Sequence, residues 1–150
     1  MGNFEIKGLK NSNNFFLHHL GYATPNINKS LIFFSPFFFC EKSILKFKDE
    51  SQNVNVNFFK LTESLLIEFV EPLNYKSPIL NFIKKNPQGN FHHLAYECKN
   101  IENGLLKMKE LNFRKITKET IGFENRRIIF FASKVNPDFP LIEIISEPQE

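Results

Sequence analysis

A chain of 150 residues with 42% hydrophobic and 23% charged side chains is sized for one globular domain, or for two small halves sharing a core. Its net charge of +3 comes without any basic run or Arg-rich aromatic platform, which argues against nucleic-acid binding. Two cysteines, Cys40 and Cys98, neither in a CxxC pair, exclude a disulfide framework and fit reduced thiols in a cytoplasmic location.

Along the chain, "MGNFEIKGLKNSNN" lacks the apolar stretch of a secretory signal, and Ile6 spoils the myristoylation pattern. The next segment, "FFLHHLGYATPNI" (Phe15 to Ile27), reads as a strand carrying His18 and His19, followed by Asn26 as a helix N-cap. The helix that follows places Ile27, Leu31 and Phe34 on one face until Pro36 ends or kinks it. The apolar run Leu31 to Cys40 contains this proline and is too short to span a membrane, which takes about 18 residues. Three alternating runs follow: "SILKFK", "NVNVNFFKL" and "SLLIEFVEP". In the linker, Ser77 before Pro78 predicts a short helix to Lys85, and "NPQGN" then breaks the chain.

The histidine strand now returns as "NFHHLAYECKNI" (Asn90 to Ile101), with His92, His93 and an N-cap at Asn100. Ile101, Leu105, Met108 and Leu111 share one face of an amphipathic helix. "FRKITKE", "RRIIFFASK" and "PLIEIISEP" supply the last strands. Each half therefore reads β-α-β-β-β, and the predicted architecture is α+β, with tandem modules at about 15–72 and 91–148 joined by a short helical linker. The 19 phenylalanines, with no tryptophan, supply β-compatible bulk for the core.

The repeat also places its chemistry symmetrically. Some 49 positions separate His19 from Glu68, and 50 separate His93 from Glu143, each histidine on a first strand and each glutamate on a last one. Two imidazoles and two carboxylates can surround a divalent cation of the Co, Ni, Zn, Mn or Fe kind, with room for a chelating substrate. A lone inward histidine is usually a hydrogen-bonded core residue and a strand glutamate is usually solvated, so it is the matched set of four that points to a metal. Strand alternation makes His18 and His92 face outward if His19 and His93 face inward.

Paired βαβββ modules with a His-strand and a Glu-strand in each resemble the vicinal oxygen chelate, or glyoxalase-like, superfamily over residues 15 to 147. "EPLNYKSPILNFIKKNPQGNFHHLAYEC", "GFENRRIIFF" and "PLIEII" are similar to stretches of its methylmalonyl-CoA epimerase branch. The resemblance implies a cleft between curved mixed sheets, a divalent metal on His19, Glu68, His93 and Glu143, and a homodimer. It also implies metal-assisted enolisation of an acyl thioester such as an acyl-CoA, with Glu143 as a base. Some epimerases of this type carry a second base, a glutamate, on the third strand of the first module; here that strand holds Asn55 and Asn57 and no carboxylate. Glu68 and, from the preceding turn, Glu50 or Asp49 are the candidates to replace it.

A pair of module-related glutamates equally suits a lactoylglutathione lyase, although the Ser-Pro-Ile linker favours the epimerase branch. An extradiol dioxygenase needs only three protein ligands, and a non-catalytic antibiotic-sequestering protein needs none. Arg126 or Arg127, at the opening of a strand, can meet a substrate carboxylate or phosphate, and "GFENRR" lacks the glycines usual in that turn. Cys98 has no neighbour to activate it.

Overall fold

The computed structural model describes residues 15–150. The expectations for the first fourteen residues, the missing signal and acylation patterns, lie outside the described residues. In chain order the elements are β1 (Phe15–Ala23), α1 (Ile27–Phe34), β2 (Leu45–Asp49), β3 (Val54–Lys60), β4 (Leu66–Pro72), α2 (Leu80–Lys85), β5 (Asn90–Cys98), α3 (Ile101–Glu110), β6 (Phe113–Lys115), β7 (Thr120–Ile121), β8 (Arg127–Ser133) and β9 (Leu141–Ser146). Local chemistry sets several of the boundaries. Asn26 and Asn100 accept hydrogen bonds from the backbone N–H of Lys29 and Asn103, capping α1 and α3. Pro36 ends α1 by converting the chain to a 3₁₀ turn over Ser35–Phe37. Ser77 does not cap the linker helix, which begins later at Leu80, and its buried hydroxyl has no hydrogen-bond partner among the described residues.

The strands form one continuous mixed sheet of nine, not separate sheets, in an α+β fold. Its order is β2-β3-β4-β1-β5-β9-β8-β6, with β7 added on β8. The reason is that β1 and β5, the two histidine strands, pair directly and antiparallel at its centre. On either side, β1 pairs β4 and β5 pairs β9, both in parallel. The "FRKITKE" run breaks into two short strands, β6 and β7.

Alternation sorts the apolar side chains into layers. Ile27 of α1 packs on Phe59, Ile67 and Phe69. Ile101 and Met108 of α3 pack on Ile129, Phe131, Ile142 and Ile144. A third cluster, Val54, Val56, Phe58, Val70, Phe123, Ile128 and Ile145, lies on the opposite face, the one that carries Glu68 and Glu143. Burying each such side chain contributes about 1.5–3 kcal/mol. No helix among the described residues is long and apolar enough to cross a membrane.

Candidate metal centre

The four residues picked out by the repeat meet. His19, Glu68, His93 and Glu143 are all buried, and one ligand atom from each lies within 4.8 Å of the others. Strand register explains the meeting. His19 sits opposite Ala95 and His93 opposite Gly21 across the β1–β5 pair, while Glu68 lies beside Gly21 and Glu143 beside Ala95. Each imidazole therefore leans over a small residue toward the glutamate of the other half. His19 Nε2 is 3.0 Å from Glu143 Oε2, and His93 Nε2 is 3.0 Å from Glu68 Oε2; the same-half distances are both 3.3 Å.

The sequence reading missed Gly21, although the small residue two places after each His-His pair was a usable signal. A Cβ at Gly21 would fall 2.0 Å from His93 Cε1. Gly21→Ala should thus displace the His93 ring and weaken divalent-metal binding at least about tenfold, by analogy with loss of a supporting contact. Calorimetric titration with Co²⁺ or Zn²⁺ measures this directly.

Electrostatics fit the centre to a cation. Burial opposes charge on His93, but hydrogen bonds and attraction from Glu143 and Glu68 outweigh it and push its pKa up to about 10. Burial likewise opposes charge on His19, and the same two carboxylates nonetheless raise it. Burial alone would raise the two carboxyl groups, yet the adjacent histidines hold both below the ordinary carboxylate range. Glu143 Oε2 is buried without a well-formed hydrogen bond despite its short approach to His19. Two Nε2 atoms 3.3 Å apart facing two carboxylate oxygens are donors aimed at a common centre, the arrangement a divalent ion satisfies. This buried group could hold a metal ion.

His18 and His92 depart from strand alternation. The β1–β5 register shifts between Leu17 and His19 and again between Gly21 and Tyr22, where the partner strand passes from His93 to Phe91. Each outer histidine is thus the extra residue of a β-bulge, a device that re-aims a side chain. The rings turn back, with Nδ1 of His18 2.8 Å from Nδ1 of His19 and Nδ1 of His92 2.9 Å from Nδ1 of His93. Burial and the neighbouring histidine lower their pKa values to about 4 and about 3, so both are neutral near pH 7. A cation on Nε2 of His19 leaves the proton on Nδ1, which donates to His18; the same holds for His93 and His92.

Phe58 and Phe130, opposite Glu68 and Glu143 on the neighbouring strands, wall the centre with rings 5.1 Å from His19 and 5.3 Å from His93. Asn55 and Asn57 do not line this wall. Asn57 accepts from the Ser43 hydroxyl and Asn55 reaches Glu71 on the α1 face, because the inward positions of β3 are Val54, Val56 and Phe58. Glu50 is exposed in the β2–β3 turn, and Asp49 holds that turn through Ser51 and Gln52. Neither joins the four-residue group. Arg127 is tied to Glu119 and Glu102 at the surface, Arg126 is buried, and Cys98 is buried with its thiol pushed up to about 11 by burial.

Known proteins share this chain's sequence pattern and its fold. Residues 18–130 match the family described as Glyoxalase/Bleomycin resistance protein/Dioxygenase superfamily. The mitochondrial methylmalonyl-CoA epimerase of Dictyostelium discoideum is 30% identical over 79% of this chain and 70% of its own length. The chain spans between 66 and 70% of the curated epimerases it matches first. Among solved structures, the hypothetical protein BH1468 of Bacillus halodurans superposes with a TM-score of 0.75 at 27% identity, over 91% of this chain and 96% of that one. A Streptomyces coelicolor methylmalonyl-CoA epimerase variant, solved with 2-nitronate-propionyl-CoA, shares the fold at TM-score 0.73 and 20% identity, over 89% and 97% of the two chains.

Proposed function

We propose that this chain, which belongs to the Glyoxalase/Bleomycin resistance protein/Dioxygenase superfamily, is a metal-dependent epimerase or isomerase that enolises an acyl thioester. The observation that carries the reading is the buried His19–Glu68–His93–Glu143 group, assembled from four neighbouring strands and walled by aromatic rings. It is supported by the 30% identity to an enzyme named as a methylmalonyl-CoA epimerase. The chain's two tandem modules would each contribute one histidine and one glutamate, and the matched parallel pairs β1–β4 and β5–β9 support that division.

His19, Glu68, His93 and Glu143 would hold the ion, which when bound supplies positive charge for a carbonyl oxygen as the adjacent C–H is deprotonated. Glu143 accepts that proton. Glu68, related to it by the symmetry of the register, would return a proton to the other face after first taking one up from solvent. Phe58 and Phe130 wall the centre beside these carboxylates. His18, donating from Nε2 in the tautomer fixed above, holds a substrate oxygen. A role for Glu50 as second base requires its turn to fold over the centre.

The pairing of two glutamates with no carboxylate at the inward positions of β3 favours a second reading, a lactoylglutathione lyase type of proton transfer between adjacent carbons. Incubation with methylmalonyl-CoA, propionyl-CoA and the methylglyoxal–glutathione adduct in D₂O separates the two. Deuterium at a thioester α-carbon supports the enoliser, and turnover of the adduct alone supports the lyase. Deuterium in none of them, together with a metal-free purified protein, would leave a binding protein. A homodimer is also proposed, and light scattering at a monomer mass would overturn it.

A further inference from the structure

Phe123 stands over the centre from outside its four strands. It opens a two-residue turn between β7 and β8, closed by the Arg126 N–H donating to the Phe123 carbonyl at 3.1 Å. Glu124 and Asn125 fill this turn with φ of 55° each, the backbone that a type I′ hairpin needs. Asparagine tolerates that conformation, whereas glutamate rarely adopts it. Both are exposed, so the turn rests on the molecule through the buried side chains of Phe123 and Arg126.

The Phe123 ring bridges the two ends of the sheet. β7 and β8 lie toward one end, β2 and β3 at the other. Across that gap the ring comes 5.0 Å from Phe58 on β3 and 6.5 Å from Phe47 on β2. It is also 5.8 Å from His18 and 6.2 Å from His19. The Arg126 guanidinium lies 5.2 Å from its centroid, a cation–π contact. With His18 and Phe58 the ring lines a cavity of about 130 Å³. A second ring, Phe82, covers the other half at 4.9 Å from His92. The two covers are anchored differently. Phe82 is set in α2, where Ile79 and Ile83 pack into the same apolar cluster. Phe123 is the single apolar residue between Gly122 and Arg126. Beneath these rings His19 is 0% exposed, His93 and Glu143 2% and Glu68 7%. A ligand cannot reach atoms so enclosed until a covering side chain moves.

We infer that Phe123 is the gate of this centre, its ring withdrawing to let a ligand in beside His18 while Phe82 stays as a fixed wall. This rests on the metal-centred reading of the site and adds its entrance. Moving one ring on a two-residue turn leaves the four ligand strands paired, whereas moving Phe82 would lift Ile79 and Ile83 with it. Arg126 remains in place, its Nη1 donating to the Glu97 carboxylate and, at 2.8 Å, to the Ser146 carbonyl. Withdrawal joins the cavity beside His18 to the centre. The ring therefore competes with every incoming ligand, whose apparent Kd is the intrinsic one divided by the open fraction.

The test uses Co²⁺-loaded protein and acetohydroxamate, a small chelating probe, with visible cobalt absorption followed by stopped flow. Phe123→Ala should raise the association rate and the affinity by the same factor, about tenfold or more, with dissociation unchanged. Phe82→Ala, an equal loss of aromatic bulk on the other side, should not speed association. Should Phe123→Ala fail to fold, Phe123→Leu keeps an apolar anchor and should move both values the same way by a smaller factor. Unchanged association in the Phe123 variants, or faster association in Phe82→Ala alone, overturns the gate. Faster entry matched by equally faster escape, the mark of general loosening, overturns it too. Protein that takes up no Co²⁺ would remove the metal-centred reading and the gate together. A gate confirmed by the probe, with no deuterium entering any thioester, would stand while the enolisation reading fell.

Discussion

Glu143→Gln should slow exchange of a thioester α-hydrogen with D₂O by about 10²–10⁴-fold, the usual contribution of a positioned general base. The amide keeps the shape and a carbonyl oxygen to face the centre, but it cannot accept a proton near neutral pH. Glu143 is 2% exposed in the middle of β9, where a nearly isosteric change leaves packing intact. Loss of exchange with metal content retained would therefore report chemistry and not collapse. Stereochemical analysis extends the test to Glu68. In a two-base epimerase each Glu→Gln change blocks exchange from one face only, whereas both changes blocking the same face would identify a single-base isomerase. Wild-type exchange rates in Glu143→Gln would remove it as the base.

Chelation should destabilise the protein markedly. A ligand that binds only the folded chain stabilises it by about 2.7 kcal/mol at one hundred times its Kd. For a domain of this size that is a shift of roughly 5–11 °C in Tm. EDTA should produce this fall, and His93→Ala should abolish the metal-dependent rise altogether. His18→Ala and His92→Ala should weaken metal binding about 10- to 100-fold, since each orients a ligand from behind. The pH dependence has a definite sign. In the metal-free protein His93 is protonated below about pH 10, so an incoming cation must displace that proton. Apparent affinity should fall as pH is lowered, by up to about tenfold per unit for each proton displaced. Affinity independent of pH between 6 and 8 would mean that His93 is not a ligand.

The four residues of the centre were readable from the sequence because two features coincided, a repeated His-His strand and a Glu-bearing last strand at nearly equal spacing. Alternation then failed at His18 and His92, since a bulge without glycine leaves no mark in composition and is visible only in the partner's register. It also left Asn55 and Asn57 undecided; packing of Phe59 and Phe69 against α1 assigned them to the outer face. Ser77 before proline is a good capping signal, but a later start to the helix overrode it. The loop from Gly122 to Arg126 was the least legible part, because its left-handed backbone begins at Glu124, a residue that does not announce it. The division into sheets was misjudged for a related reason: no local pattern says that two histidine strands will pair with each other.

That central pairing has a kinetic consequence. The strands that carry Glu68, His19, His93 and Glu143 are consecutive, β4-β1-β5-β9, and all of them are interior to the sheet. Fraying begins at edges, here β2, β6 and β7, and local opening there leaves the strands of the four side chains paired. The ligand frame is therefore carried by the part of the sheet that opens most rarely, and it stays assembled while the edges fray. Amide hydrogens of β1 and β5 should be the last to exchange with solvent.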